Sequence, residues 1–254
     1  MPASIKLQRE YGDDIAVIFV ESQGTSPEDT ARFVMKQRWF GTNAMWTNER
    51  PLSSGSSGLP SYVLLGADGR VIQKGRSISS KDRDLIDEEI KKAKGAPEGT
   101  DKAFKAAWKD FAKGNYAKAM AAAAKVGEKK PELLEASTAV VDEFTRRVTG
   151  RLARAEWMLE NGYPSAGADL IGELSSGLGK EGELASRAIE LKASLQGEEL
   201  KLELAADKKL GRALEGLFED GRDPKQFAKV EKLAEEFAGT KVAARARAFV
   251  AMQP

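Results

Sequence analysis

Residues 58–71 read GLPSYVLLGADGRV, and this stretch contains a strand, a turn and the beginning of a second strand. Ser61–Leu65 is mostly apolar and β-prone, as a partly buried strand requires. The turn that follows, Ala67–Arg70, carries the Asp-Gly pair that favours a tight hairpin connection, and Val71 begins the returning strand. The sequence therefore predicts a β-hairpin at this point of the chain.

Helix and strand signals flank the hairpin on both sides. Ile15–Val20 is a continuous β-prone run and predicts a strand buried on both faces, as in parallel sheets. A helix is expected to end at Gly12, and another is expected to start at Ser26–Asp29, which supplies a cap, a proline and two acids. Asp82–Lys94 has the alternation of apolar and charged residues of an amphipathic helix. This order predicts an α/β segment.

The Gly-x-Pro, apolar strand and Asp-Gly turn resemble the second half of a thioredoxin-fold domain of the extracytoplasmic thiol–disulfide reductase type. The resemblance covers about residues 1–95 and implies a periplasmic or other extracytoplasmic location. It also implies that Pro60 is the family's cis proline beside the redox site, with Leu59 and Ser61 in the same substrate-binding segment. An ordinary loop proline entering an edge strand is the alternative interpretation. Nearby aromatic residues are candidates for a peptide groove or for the core: Trp39, Phe40 and Trp46.

The chain departs from this family because it contains no cysteine. In the family the catalytic C-x-x-C caps a helix that often continues into Met-Pro, which Met1-Pro2 matches, so the central strand and both cysteines would lie before residue 1. Either the chain is part of a longer protein, or it is a degenerate relative that never had them. Losing a central strand leaves two buried edges unpaired, which favours the first alternative or a rebuilt sheet in which the remaining strands pair directly.

The rest of the chain predicts an all-α domain of helical hairpins over residues 101–254, after a Gly- and Pro-containing linker at 96–100. Its first helix places four residues on one face: Phe104, Ala107, Trp108 and Phe111. The turn at Gly114, followed by Tyr116 and Ala119, resembles the middle of a tetratricopeptide repeat, and similar turns occur at Gly162 and Gly221. These glycines are 48 and 59 residues apart (162 − 114 and 221 − 162), too far and too irregular for a repeat of about 34 residues. We therefore expect a tetratricopeptide-like array with lengthened helices.

The segment Leu195–Leu217 combines leucines with many charged residues. A charged recognition face is one interpretation. A solvated helix with i,i+4 ion pairs is the interpretation that the sequence favours. The alanines and arginines of Ala243–Ala248 indicate ordinary packing.

Composition excludes several kinds of chemistry. Without cysteine or histidine there is no thiolate nucleophile, no Ser-His-Asp triad, and no thiolate or imidazole metal site. No motif for a cofactor or a metal ion is found, so we expect neither. The net charge of +1 favours neither nucleic acid nor an anionic membrane as partner. No apolar run is long enough to span a membrane, and the first residues do not form a signal peptide.

Three classes of function stay open from the sequence. The first is a non-catalytic protein-binding or scaffold protein, built on a redox-inactive thioredoxin-like domain and a helical array that binds a protein or peptide. The second is the remainder of a thiol–disulfide oxidoreductase whose C-x-x-C lies upstream of Met1. The third, a hydrolase or transferase that uses carboxylates, has no recognisable pair of acids. For this chain the sequence favours the first class.

Overall fold

The computed structural model describes residues 2–21, 23–37, 43–46, 60–97, 99–219 and 224–251, with the backbone alone for 2–3, 13, 35, 43–46 and 217–219. Helix accounts for 74% of these residues. The chain divides into two compact units, of which the first contains Met1–Lys94 and the second contains Gly95–Glu215 and Lys225–Ala251. The predicted division into two domains, residues 1–95 and 101–254, stays a prediction.

The first unit contains three helices and four short strands. In chain order they are α1 (Pro2–Tyr11, followed by a 3₁₀ turn at Gly12–Asp14), β1 (Ile18–Glu21), α2 (Pro27–Lys36), β2 (Asn43–Trp46), β3 (Tyr62–Leu65), β4 (Val71–Gly75) and α3 (Ser80–Lys94). Local signals place the end of α1, the start of α2 and the turn of the hairpin where the sequence predicted them. Gly12 follows α1 with a φ of 55°, and the Ser26 hydroxyl accepts a hydrogen bond from the backbone N–H of Asp29 at the start of α2.

The strands do not form a thioredoxin-like sheet, so the predicted thioredoxin-like α/β segment is wrong. Strand β1 pairs in parallel with β2, and β3 pairs antiparallel with β4, giving two separate two-stranded sheets among the described residues. The hairpin forms as predicted, but no described strand joins it to the parallel pair. A thioredoxin-like sheet needs that junction, and the structure is mainly helical instead.

The predicted burial of β1 on both faces is also wrong. Ile18 is 51% exposed and Val20 is 44% exposed, and they alternate with the half-buried Phe19. One face of the strand is therefore open, as in a sheet covered on one side only.

Helix α3 is fixed at its start by a reciprocal cap. The backbone N–H of Ser79 donates to the Asp82 carboxylate at 2.7 Å, and the backbone N–H of Asp82 donates to the Ser79 hydroxyl at 3.3 Å. Asp82 is only 3% exposed, and hydrogen bonds from Ser79, and next from Tyr62, lower its pKa to about 2. A charged capping carboxylate thus helps to join α3 to the hairpin.

The second unit consists of consecutive helices. They are α4 (Lys105–Ala112, preceded by a 3₁₀ turn at Lys102–Phe104), α5 (Tyr116–Lys129, followed by a 3₁₀ turn at Pro131–Leu133), α6 (Leu134–Glu160), α7 (Pro164–Leu178), α8 (Glu183–Ser194), α9 (Glu198–Glu219), α10 (Pro224–Glu236) and α11 (Lys241–Ala251). From α4 to α8 each helix packs on its successor, and α5 and α6 also contact α7 and α8 respectively. Such neighbour-to-neighbour packing is typical of helical arrays.

Aromatic residues form the core at the beginning of this unit. Phe104, Ala107 and Trp108 are buried, as the predicted helical face requires. Phe111 stacks on Phe144 of α6 with ring centroids 4.3 Å apart, and Trp108 meets the same ring edge-on at 4.7 Å. These contacts hold α6, a helix of 27 residues, against α4.

The turn between α4 and α5 brings its backbone against α7. A Cβ atom built on Gly177 of α7 would lie 2.0 Å from the carbonyl oxygen of Gly114 and 2.6 Å from the Tyr116 ring. Only glycine can occupy this crossing point without moving the backbone. The turn at Gly114 and Tyr116 is therefore a site of close helix packing.

Candidate functional site

The residues that the sequence singled out do not come together as a site in the described parts of the chain. Pro60 is exposed at a bend and Ser61 is half-buried just before β3, whereas Leu59 lies outside the described residues. The side chains of the three candidate groove aromatics, Trp39, Phe40 and Trp46, also lie outside them. The binding role that the resemblance implied for Leu59–Ser61 stays a prediction that no contact tests.

Within the ranges that the structure describes, no three carboxylates are grouped so that they could hold a metal ion. No helix in those ranges is both long enough and apolar enough to cross a membrane.

The clearest candidate site is a stack of three side chains at the turn between α6 and α7, which we call the Trp157 stack: Trp157, Tyr163 and Arg245. The rings of Trp157 and Tyr163 are stacked at a centroid distance of 5.8 Å and an interplanar angle of 18°. The guanidinium carbon of Arg245 lies 3.9 Å from the centroid of the Tyr163 ring. Both groups therefore contact the Tyr163 ring, Arg245 close to its centroid and Trp157 offset from it. Trp157 is still 54% exposed and Tyr163 40% exposed.

Close backbone packing fixes the turn that carries Tyr163. Gly162 has a φ of 76°, and a Cβ atom built on it would lie 2.9 Å from the carbonyl carbon and oxygen of Lys241. This turn therefore rests directly on the first residue of α11. Pro164 then begins α7, at the position where a proline costs no hydrogen bond. The backbone on both sides of Tyr163 is therefore fixed, by the contact of Gly162 with α11 and by the start of α7 at Pro164.

Glu203 of α9 fixes the start of α11. Its carboxylate accepts hydrogen bonds from the backbone N–H groups of Lys241 at 2.7 Å and Val242 at 3.0 Å. The hydroxyl of Thr240 accepts the next N–H, that of Ala243, at 3.0 Å. The first three N–H groups of the helix thus all have acceptors, although a helix leaves them without partners of its own.

Asp207, one turn further along α9, holds Arg245. Its carboxylate accepts from the Arg245 guanidinium at 2.9 Å and from the backbone N–H of Ser165 at 3.2 Å. The same guanidinium nitrogen of Arg245 also donates to the carbonyl oxygen of Gly162. The Arg245 and Asp207 side chains are 21% and 14% exposed, so their charges neutralise each other in a largely dry environment. Arg245 is therefore a fixed part of the stack.

The favoured interpretation of α9 as a solvated, ion-paired helix is wrong for these two acids. Glu203 is 3% exposed, and it and Asp207 bind α11 and the start of α7 rather than lysines of their own helix. They are spaced i,i+4 and lie on the buried side of the helix together with Ala206 and Leu210, which are fully buried. One exposed ion pair does form within this helix, at a spacing of i,i+3 rather than i,i+4, since Lys201 donates to Glu198 at 2.8 Å.

Of the two acids beside Trp157, one has an ionic partner and the other has none among the described residues. Glu156 forms a two-bond ion pair with Arg187 of α8, at 2.9 and 2.5 Å. Glu160, one turn after Trp157, is exposed and has neither an ion pair nor a side-chain hydrogen bond among the described residues. The last turn of α6 contains no basic residue. Trp157 therefore lies within one turn of this carboxylate and of the negative end of a long helix, and the exposed Lys241 begins α11 against the turn that follows.

A second polar cluster, at the α4–α5 turn, has its charges satisfied internally. Arg151 of α6 donates to Glu173 of α7 at 2.7 Å and also to the Tyr116 hydroxyl, which in turn donates to Glu173 at 3.0 Å. Arg151 lowers the pKa of Glu173, and burial raises the pKa of Tyr116. Since each of the three groups has a partner and Tyr116 is 2% exposed, this cluster joins helices and offers little to a ligand.

The sequence predicts the turn at Gly162 that precedes Tyr163, but it does not predict the two neighbours of Tyr163 in the stack. Arg245 belongs to the segment Ala243–Ala248, for which the sequence indicates ordinary packing. One signal for Trp157 was present: the buried positions of α6 include Leu152, Ala155 and Leu159, and Trp157 falls between them on the other side of the helix. Arg245 is 82 residues from Tyr163, and no local pattern predicts that contact.

Comparison with known proteins gives no relative. No protein-family model, no curated protein and no solved structure matches this chain.

Proposed function

We propose that this chain is a non-catalytic protein-binding or scaffold protein, and that its second unit binds a protein or peptide partner at the Trp157 stack. The observation that carries the proposal is the stacking of a half-exposed tryptophan on a half-exposed tyrosine that an arginine holds in place. Tryptophan, tyrosine and arginine are the residues that dominate the binding energy of protein interfaces. A large aromatic pair left in water contributes most when a partner covers it.

The rigidity of the stack supports the same function. Binding loses affinity when side chains must be ordered, at about 0.5–1.5 kcal/mol for each flexible side chain. The turn that carries Tyr163 is already fixed where Gly162 approaches the backbone of Lys241, and the Tyr163 ring lies under the guanidinium of Arg245, which itself bonds to Asp207. A partner would therefore meet a surface whose ordering cost has been met during folding.

A selection from a random-peptide display library tests this function, with the intact chain as bait. We expect enriched peptides that bind reproducibly and that shield Trp157 from oxidation by N-bromosuccinimide, read by mass spectrometry of the fragment containing it. Trp108, which is 3% exposed, serves as the internal control because it should resist oxidation with and without peptide. Peptides that bind without shielding Trp157, or a selection with no enrichment, would overturn the proposal.

The extracytoplasmic location and the oxidoreductase alternative were implied by a thioredoxin-like fold, which the described residues do not form. The proposed binding function does not depend on either, because the Trp157 stack lies wholly within the helical unit.

A further inference from the structure

We propose that the solvent side of the α4–α5 hairpin binds an acidic helical segment of a partner polypeptide, whose carboxylates meet a row of lysines along α4. This surface contains no residue of the Trp157 stack, and the inference goes beyond the function proposed for that stack. It follows from the charge of the hairpin, from the spacing of its lysines and from the small residues that lie among them.

The hairpin is much more basic than the chain as a whole. Residues 101–130 contain eight lysines and three acids, a net charge of +5 (8 − 3), whereas the whole chain carries +1. The rest of the chain therefore carries −4 (1 − 5). The lysines of the hairpin are all exposed: Lys102, Lys105, Lys109, Lys113, Lys118, Lys125, Lys129 and Lys130. The positive charge of the hairpin is thus in water.

Four of these residues form a single row, which we call the α4 lysine row: Lys102, Lys105, Lys109 and Lys113. They are three, four and four residues apart, and residues at these separations are neighbours on one side of a helix. The residues that α4 and its preceding turn bury, Phe104, Ala107 and Trp108, lie on the opposite side. The α4 lysine row therefore faces away from the core.

The α4 lysine row has no partner within the described part of the chain. None of its four ammonium groups forms a hydrogen bond or an ion pair there. The acids closest to it in sequence have other partners, since Asp101 accepts the backbone N–H of Ala103 at 2.7 Å and Asp110 pairs with Lys118 at 3.2 Å. Three more exposed acids follow near the end of α5, next to Lys129 and Lys130 in the sequence: Glu128, Glu132 and Glu135. The row itself is left to meet acids from outside the chain.

The spacing of the row fits a second helix. Lys105, Lys109 and Lys113 recur every four residues, which is about 6 Å along a helix axis. Acids at i, i+4 and i+8 of a partner helix recur at the same interval, so each carboxylate can meet one ammonium group. The exposed residues among the hairpin's lysines are mostly alanines: Ala106, Ala112, Ala117, Ala121 and Ala124. Small side chains let a second helix approach to the usual axial distance of about 8–10 Å.

Other polyanions fit this surface less well. Single-stranded nucleic acid binds where aromatic side chains are free to stack on bases, but Phe104, Trp108 and Tyr116 are buried. Duplex DNA carries one charge per about 1.7 Å of its axis, which does not match a repeat of about 6 Å. Helices that lie on a membrane insert large apolar side chains, whereas alanines occupy those positions here.

The test is a fluorescence anisotropy titration of two labelled peptides with the intact protein. Both are capped, alanine-rich helices of one composition with four glutamates, which are four, four and three residues apart in the spaced peptide and consecutive in the other. Circular dichroism checks that both are helical. At 0.05 M salt we expect the spaced peptide to bind at least about threefold more tightly, and 0.5 M salt should remove most of the binding.

Matched triple variants show whether the row is responsible. The variant Lys105→Gln, Lys109→Gln, Lys113→Gln should weaken binding of the spaced peptide by about three- to thirtyfold. The control removes the same charge from exposed lysines elsewhere in the helical unit and should change the affinity by less than about twofold: Lys180→Gln, Lys192→Gln and Lys208→Gln. Equal weakening by the two variants, or equal affinity for the two peptides, would overturn the inference.

Competition identifies the class of partner. The DNA pentanucleotide TTTTT, which has four phosphates, and phosphatidylserine vesicles are each added to the complex with the labelled spaced peptide. We expect the unlabelled spaced peptide to displace the label at a lower concentration of negative charge than either competitor does. Displacement by the pentanucleotide or the vesicles at an equal or lower concentration of charge would refute an acidic helix as the partner.

Discussion

Replacing Glu203 with alanine should loosen the packing that builds the Trp157 stack. The Glu203 carboxylate is almost fully buried and accepts the N–H groups of Lys241 and Val242, the first two residues of α11. Arg245 lies on this helix, one turn after the capped residues. Loss of the carboxylate therefore acts first on the beginning of α11 and then on the position of Arg245 over Tyr163.

The magnitude follows from the two hydrogen bonds. A hydrogen bond to a charged group contributes about 1.5–3 kcal/mol, and a buried N–H left without an acceptor costs about 1–3 kcal/mol. The two bonds share one carboxylate and are not additive, and water can enter the space that the side chain leaves. We expect Glu203→Ala to lower the free energy of unfolding by about 3 kcal/mol. Glu203→Gln retains one acceptor oxygen and should lower it by about 1.5 kcal/mol.

Urea denaturation followed by circular dichroism at 222 nm measures the loss, and hydrogen exchange of residues 241–251 shows whether it begins at α11. Glu199→Ala is the matched control, since Glu199 is an exposed acid one turn earlier on the same helix, and it should change stability by no more than about 0.5 kcal/mol. If Glu203→Ala were as stable as Glu199→Ala, or if exchange in 241–251 were unchanged, the capping role would be refuted.

Three further predictions concern glycines and one buried acid. Gly162→Ala should destabilise the protein by at least about 2 kcal/mol more than Gly114→Ala, because both have positive φ but only Gly162 would place its Cβ 2.9 Å from backbone atoms. Equal urea midpoints for these two variants would contradict this close approach. Gly177→Ala should cost at least about 3 kcal/mol, whereas Gly172→Ala on the same helix, with nothing within 4 Å, should gain up to about 1 kcal/mol. Thermal unfolding compares the two, and a tolerated Gly177→Ala would mean that α7 does not cross the α4–α5 turn this closely. Hydrogen bonds from Ser79, and next from Tyr62, lower the pKa of Asp82 from 3.8 to about 2, so its stabilising effect is complete above about pH 4 and is lost as the pH falls from 4 to 2. Asp82→Asn should therefore be less stable than wild type at pH 7, and the two should converge near pH 2; a constant difference in urea midpoint across that range would show that the charge of Asp82 has no part in the cap.

Local signals were enough to predict most of the elements. Gly12, Ser26 and the Asp-Gly turn at Asp68-Gly69 act through the conformations of their own neighbours, so the sequence alone indicates where α1 ends, where α2 begins and where the hairpin turns. The same holds for the turns at Gly114 and Gly162, where positive φ angles of 79° and 76° end one helix and begin the next. These predictions depend on a few adjacent residues.

The sheet could not be predicted in the same way, because strand pairing depends on residues far apart. The hairpin motif predicted β3 and β4 correctly, but a thioredoxin-like sheet also requires a neighbour that joins them to β1 and β2. In the structure Ile18 and Val20 are exposed where that fold would bury them. The sequence motif describes one hairpin and does not determine how the other strands pair.

The candidate site was hidden for a related reason. Glu203 and Asp207 have the spacing of a solvated, ion-paired helix, and only the tertiary structure shows that their partners are the N–H groups of α11 and α7 and the guanidinium of Arg245. Burial of a charged side chain is uncommon unless it is paired, so a pattern of charges alone favours the exposed interpretation.

The proposed binding site is tested most directly by the dissociation constant of the strongest display-selected peptide for three proteins, measured by isothermal titration calorimetry: wild type, Trp157→Leu and Leu134→Ala. Leu134 is the matched control because it is 57% exposed and begins the same helix, about 35 Å from Trp157 at 1.5 Å per residue. We predict that Trp157→Leu weakens binding at least about tenfold, as loss of an interface tryptophan does, and that Leu134→Ala changes it less than about twofold. Equal affinity of wild type and Trp157→Leu would contradict the account.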